Sequence, residues 1–275
     1  MTAQRLRRHG LGGLGLGLVA LVVLAALAAP LIAPHDPARG DFAAGLKPPG
    51  TPGHPLGTDL LGRDVLSRVL YGARIALFIG LCTVLVTAVV GGVLGLVAGF
   101  FGGWPGTVLM RIVDVQLSFP FILLALTINA IVGLGLRNII LSLSAAGWVV
   151  YARVVRGEVL SVKQRDYVQA AAALGTRRAR ILFRHVLPNV APSIIIVASL
   201  QFSQFIVAEA AISFLGFGVQ PPTPAWGSML SESRDYLYVA WWLAAFPGAA
   251  LALTALGINL VGDWLRDVLD PKFRV

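Results

Sequence analysis

The segment RVVRGEVLSVKQRDYVQAAAALGTRRARILFRHVLP, residues 153–188, decides how this chain is read. It is basic and polar, and apolar blocks flank it on both sides. Arg153, Arg156, Lys163, Arg165, Arg177, Arg178, Arg180 and Arg184 stand against Glu158 and Asp166. The chain has 275 residues, 57% hydrophobic and 13% charged, with mean hydropathy +0.80. A soluble domain carries about 25% charged residues. The composition therefore points to a polytopic membrane protein, and residues 153–188 to a part that leaves the lipid. The net charge of +9 does not imply nucleic acid as a partner. Its basic residues lie in short segments beside apolar runs, where the rules of membrane orientation account for them.

Working outward from this segment, six runs approach the roughly 20 apolar residues that a membrane helix needs. They are Leu11–Ala33, Arg74–Phe100, Val115–Gly135, Asn138–Val155, Pro192–Phe214 and Val239–Gly262. They predict an all-α protein with six transmembrane helices in contact with the lipid bilayer. Lys and Arg favour the cytoplasmic side. Arg5, Arg7 and Arg8 mark the N-terminal tail, 1–10, as cytoplasmic, and the 153–191 loop shares that bias. The 34–73 segment balances Arg39, Lys47, Arg63 and Arg68 with Asp36, Asp41, Asp59 and Asp64, as an external loop would. An even number of spans puts both termini and the basic loop on one side, consistent with a multi-pass protein of the bacterial cytoplasmic membrane. The first run, 11–33, also has the basic start of a signal peptide. Its apolar stretch exceeds the about 7–15 residues of such a peptide, so it is read as a retained helix.

Local chemistry sets further expectations. Residues 34–55 are rich in Pro and Gly and should be extended and irregular. Leu61, Val65, Leu66, Val69 and Leu70 recur at helical spacing, which predicts a short interfacial helix before the second span, physically the same object as an amphipathic lead-in to that span. In the basic loop, Tyr167–Leu174 is Ala-rich and should be helical. Gly175 should stop that helix. Thr176 should cap a second helix over 177–186, which Leu187-Pro188 should end. Ala170, Ala171, Ala172 and Ala173 would let another surface approach closely. Chemistry alone leaves two readings of this loop open: a segment that only sets topology, or a docking element.

A resemblance decides between them. Gln169-Ala170-Ala171, Gly175 and Leu187-Pro188 resemble the cytoplasmic loop motif of binding-protein-dependent ABC importer permeases. That motif normally starts with Glu and has Ile two residues before Leu-Pro; here Gln169 and His185 stand there. His54-Pro55-Leu56-Gly57-Thr58-Asp59 and Gly62-Arg63-Asp64-Val65-Leu66-Ser67-Arg68 resemble the dipeptide/oligopeptide/nickel branch. So do residues 213–227, 259–267 and Leu269-Asp270-Pro271, and together they look most like its second, C-type permease. The resemblance implies a type I importer permease fold, with a permease domain over 74–262 and a C-terminal cytoplasmic tail over 263–275. It implies that Gln169, Ala170, Ala171, Gly175, Leu187 and Pro188 meet a cytoplasmic ATPase. It also implies a homologous permease partner, two ATPase subunits that use ATP and Mg, and an external solute-binding protein. The cargo would be a di- or oligopeptide, or alternatively a nickel complex or glutathione. A stand-alone secondary transporter would show inverted repeats or midplane ion sites, and neither is visible.

The chain carries no phosphate-binding loop, since none of Lys47, Lys163 and Lys272 follows a glycine. ATP hydrolysis by this chain, a bound cofactor and a catalytic set are not expected. Cys82 is alone and reads as a small buried hydrophobe. His9, His35, His54 and His185 lack metal-ligand spacing and read as exposed or interfacial residues, so no metal is expected. Polar residues at membrane depth usually face a cavity or a partner helix. Gln201, Gln204 and Glu209 are therefore candidates for the translocation path or its gate, with an interhelical hydrogen bond at Glu209 as the alternative. Asp114 carries the same two readings, with a pair to Arg111 near the cytoplasmic interface as its structural one. Gly91, Gly95 and Gly99 share one helix face and should pack closely against another helix.

Overall fold

The computed structural model describes residues 3–269, and no strand occurs among them. The long helices are α1 (Ala3–Ile32), α2 (Val65–Phe101), α5 (Leu136–Lys163), α8 (Leu187–Phe214) and α10 (Trp242–Leu269). The shorter ones are α3 (Gly103–Leu117), α4 (Phe121–Val132), α6 (Asp166–Ala173), α7 (Arg178–Ile181) and α9 (Trp226–Ser233).

Glycine contacts and one hydrogen bond fix the relative directions of the five long helices. A Cβ on Gly91 would meet Trp148 and Tyr151, one on Gly95 would meet Ala152 and Val155, and one on Gly99 would meet Arg156 and Val159. The numbers rise together, so α2 and α5 run parallel. Gly80 meets Phe202 and Ile206 while Gly92 meets Ile194, so α2 and α8 are antiparallel. Gly262 lies against Ser199 and Leu200, and Ser203 Oγ donates to Ala255 O, so α8 and α10 are antiparallel. Gly12 against Trp264 and Gly257 against Leu18 make α1 and α10 antiparallel. Because α2 and α5 are parallel, the chain must return across the bundle between them, through α3 and α4. Five helices are long and apolar enough to cross a membrane alone, and the bent α3–α4 pair completes six. Close approach at Gly91, Gly95 and Gly99 is the packing that the sequence predicts.

Several expectations are corrected. The third span, expected as one helix over Val115–Gly135, is broken: α3 and α4 meet at 94°. Pro120 has no N–H and restricts Phe119 to extended backbone, which ends α3. The fourth span is longer than Asn138–Val155 and carries Arg153 and Arg156 inside α5. The interfacial helix is not a separate element but the lead-in to the second span. Leu60 to Gly62 form a turn, Asp64 caps the helix by accepting from the Ser67 N–H at 2.8 Å, and Val65 to Tyr71 are the first turns of α2. Residues 34–64 form a folded cap rather than an irregular loop. Gly62, at φ +70, packs so closely on Asp41 that any side chain would collide with its carbonyl. The expected tails 1–10 and 263–275 are helical from Ala3 and as far as Leu269. Residues 270–275, with the Asp270-Pro271 pair, lie outside the described residues.

The bundle has two ends. One carries α6, α7, the start of α1 and the finish of α10. The other carries residues 33–64, 133–135 and 215–241. Both described termini and the basic loop therefore share one end.

Candidate coupling surface and translocation face

The loop end is built on α6. Its helix closes with two capping hydrogen bonds: Gly175 N–H donates to Ala172 O at 3.0 Å and Thr176 N–H to Ala171 O at 3.1 Å. That pairing is the Schellman cap, which needs its first donor residue in the left-handed conformation. Gly175 supplies it at φ +73, and its Cα faces open space. The second helix departs from expectation. Its cap position is Arg177, without a side-chain cap, and not Thr176. Nor does Leu187-Pro188 end it. Residues Leu182–Val186 widen into a π-helical turn, and α8 continues through Pro188. Proline lacks the donor that a helix interior needs and crowds the carbonyl four residues back. The wider turn, in which Leu187 N–H reaches Leu182 O, absorbs the change.

One face of this loop is fastened and the other is free. Val168, Ile181, Leu182, Val186 and Val190 are buried with Leu96, Phe100, Val155, Val159 and Val162, at the ends of α2 and α5. Lys163 Nζ donates to Phe100 O at 2.7 Å and lies over the Phe100 ring. This clamp joins the last turn of α5 to that of α2. On the free face, Gln169, Ala170, Gly175 and Pro188 are exposed, while Ala171 and Leu187 are half-buried. Leu174 is 86% exposed and Phe183 is 64% exposed. Sequence reasoning missed Leu174 and Lys163. An apolar residue beside the stop glycine, and a lysine at a helix end, were the available signals.

The path candidates separate. Gln204 is exposed on α8, on one stripe with Leu200 and Val207. Gln201 is buried. Glu209 is 1% exposed and accepts from Ser213 Oγ at 2.6 Å. Ser213 Oγ in turn accepts from Val219 N–H at 3.2 Å. Glu209 therefore neither lines a surface nor bonds to another helix. It fastens its own helix to the loop that follows. Asp114 pairs with Arg153 rather than Arg111, and both side chains are about half exposed. Asn129 is buried, donates to Phe217 O and accepts from Ser142 Oγ at 3.2 Å.

The opposite end is locked by charge. Arg63 Nε donates to Asp59 at 2.6 Å and its Nη2 to Glu232 at 2.8 Å. Arg68 Nη1 bridges the same two carboxylates. Trp226 Nε1 donates to Val69 O at 3.0 Å, and Trp242 Nε1 to Thr58 O at 3.2 Å. These bonds tie residues 58–69 to α9 and to the start of α10. The fold also brings together His35, His54 and Asp64, which their spacing had kept apart.

A six-span bundle with a firmly seated helical loop exposed at one end fits a membrane transport subunit. Comparison with known proteins makes the class specific. Residues 91–275 match the family described as binding-protein-dependent transport system inner membrane component, and residues 1–49 match the N-terminal TM domain of oligopeptide transport permease C. The chain is 46% identical over 265 residues to the dipeptide transport system permease protein DppC of Escherichia coli (strain K12), covering 94% of this chain and 88% of that protein. It is 44% identical to the di/tripeptide transport system permease protein DppC of Pseudomonas aeruginosa, covering 97% and 90%. A putative peptide transport system permease of Brucella abortus is 42% identical, covering 100% and 92%. The chain belongs to the binding-protein-dependent inner-membrane permease family.

Proposed function

We propose that this chain is one of two homologous permeases in an ATP-driven importer of di- or oligopeptides. Its loop end faces the cytoplasm, where α6 docks on an ATPase; its capped end faces outward to a solute-binding protein. Two ATPase subunits supply hydrolysis with ATP and Mg, and this chain contributes no catalytic group or cofactor. The observation that carries the reading is α6: its outer face is free while its base is packed into the ends of α2 and α5. A push on such a helix moves the spans as a rigid body, and a floppy loop would dissipate it. The peptide cargo rests on what the relatives are named for. Gln204 is the path residue of choice, because a polar group on an exposed stripe of a span favours a partner helix or water over lipid. Glu209 supports the gate from behind through Ser213 and Val219.

Reconstitution in liposomes with the partner permease, ATPases and binding protein tests this. Labelled dipeptide should accumulate only with ATP, and the chain alone should release no phosphate. Accumulation without ATPases, or phosphate release that follows the pure chain, would overturn the proposal.

A further inference from the structure

We propose that His35, His54 and Asp64 form a binding site for a borderline divalent transition-metal ion such as zinc(II). They lie at the end of the bundle opposite α6. One ligand atom from each falls within 4.8 Å of the other two. His54 Nδ1 and Asp64 Oδ1 are 3.1 Å apart. Two ligands on one tetrahedral zinc, each at about 2.0–2.2 Å, stand at about that separation. The His35 ring stacks on His54 with centroids 4.6 Å apart. His35 is exposed, so a small swing of its ring closes the third bond.

The supporting shell is already in place. Asp64 Oδ2 accepts from Ser67 N–H at 2.8 Å and from Ser67 Oγ at 2.7 Å, so the carboxylate is buried, oriented and left with Oδ1 to give. Ser67 Oγ also accepts from the His35 N–H at 3.1 Å, which holds the backbone of His35 beside the first turn of α2. Hydrogen-bonded ligands of this kind are the usual surroundings of a metal centre. The three residues line an open cavity of about 510 Å³, which leaves room for water or an outside ligand in the fourth position. Asp36, Asp41 and Asp64 face it against Arg39 and Lys47, so its charge favours a cation. Two imidazoles and one carboxylate suit zinc or nickel and disfavour magnesium or calcium, which prefer all-oxygen shells. A bound ion would staple the segment after α1 to the N-terminus of α2.

The test is zinc binding to the tag-free assembled complex by equilibrium dialysis, with thermal unfolding alongside and magnesium as the hard-ion control. Wild type should hold one equivalent of zinc more than His35→Ala or His54→Ala, whose affinity should fall by at least the about 10–100-fold that loss of an outer-shell partner costs. Asp64→Asn keeps a capping oxygen and should also lose the equivalent. Zinc should raise the unfolding temperature of wild type and not of His35→Ala, while the two unfold alike in chelator. Magnesium should do neither. Equal zinc binding by wild type and the two histidine variants would overturn the site. So would an equal thermal response. Neither result would touch the transport reading, which does not use these residues.

Discussion

The two ends of the bundle are held by different chemistry. At the capped end, polar and charged groups pair with one another: Arg63 and Arg68 with Asp59 and Glu232, Trp226 with Val69, Trp242 with Thr58. At the loop end, apolar Leu174 and Phe183 stand in the open on a base that is fixed to α2 and α5. Both ends leave large apolar side chains uncovered, Phe42, Tyr238 and Trp241 at the capped end among them, so each is built to be covered by something else. The capped end differs in the frame of buried charge beneath that surface.

The largest effect should come from breaking the frame. Arg68→Ala takes a buried guanidinium from Asp59 and Glu232 at once and leaves Arg63 as their shared partner. Its cost therefore approaches, without reaching, the about 3–5 kcal/mol of a fully unpaired buried charge. Thermal unfolding in detergent should show it as a large drop in transition temperature; an unchanged transition would mean the lock is ornamental. Gly95→Leu comes next. Its Cβ would sit 2.5 Å from Ala152 O, and overpacking of this kind costs about 1–3 kcal/mol. Less folded protein should reach the membrane, and a normal level would contradict the parallel α2–α5 seam.

At the loop end the same order of strain should have a different outcome. Gly175→Val forces a β-branched residue to φ +73, at a local cost of about 1–3 kcal/mol. Insertion into the membrane should be normal, because a side chain starting at Gly175 would point into open space. Retained ATPase on pull-down and uptake per ATP hydrolysed should both fall. Normal values of both would leave the loop with no role beyond topology. Smallest in stability, within about 0.5 kcal/mol as for an exposed site, is Gln204→Ala. It should fold and assemble as wild type while lowering peptide uptake. Uptake equal to wild type would remove Gln204 from the path.

Much of this contrast was legible in the chain. Hydropathy exposed six crossings, and the glycine spacing of α2 anticipated its tightest seam. The stop at Gly175 was readable because one residue type meets a left-handed cap cheaply. Other features were hidden for identifiable reasons. Proline was read in the wrong place: Pro120 breaks a span that hydropathy joins, while Pro188 is absorbed by a π-helical turn that no local propensity encodes. The charged 58–68 segment looked amphipathic, yet Arg63 and Arg68 are buried, because their carboxylate partner Glu232 lies far along the chain. Glu209 looked like a path residue because its acceptor role depends on Ser213 and Val219, which only the fold aligns.

Cross-linking from the tip of the loop tests the central claim most directly. Cys82 is the chain's one cysteine, so Cys82→Ala gives a clean background for single cysteines. Leu174→Cys and, at the opposite end, Leu61→Cys would each be treated with a short bifunctional thiol reagent in membranes that hold the assembled transporter. The account predicts that Leu174→Cys joins this chain to an ATPase subunit and that Leu61→Cys does not. Failure of Leu174→Cys to reach the ATPase, or equal capture from Leu61→Cys, would contradict it.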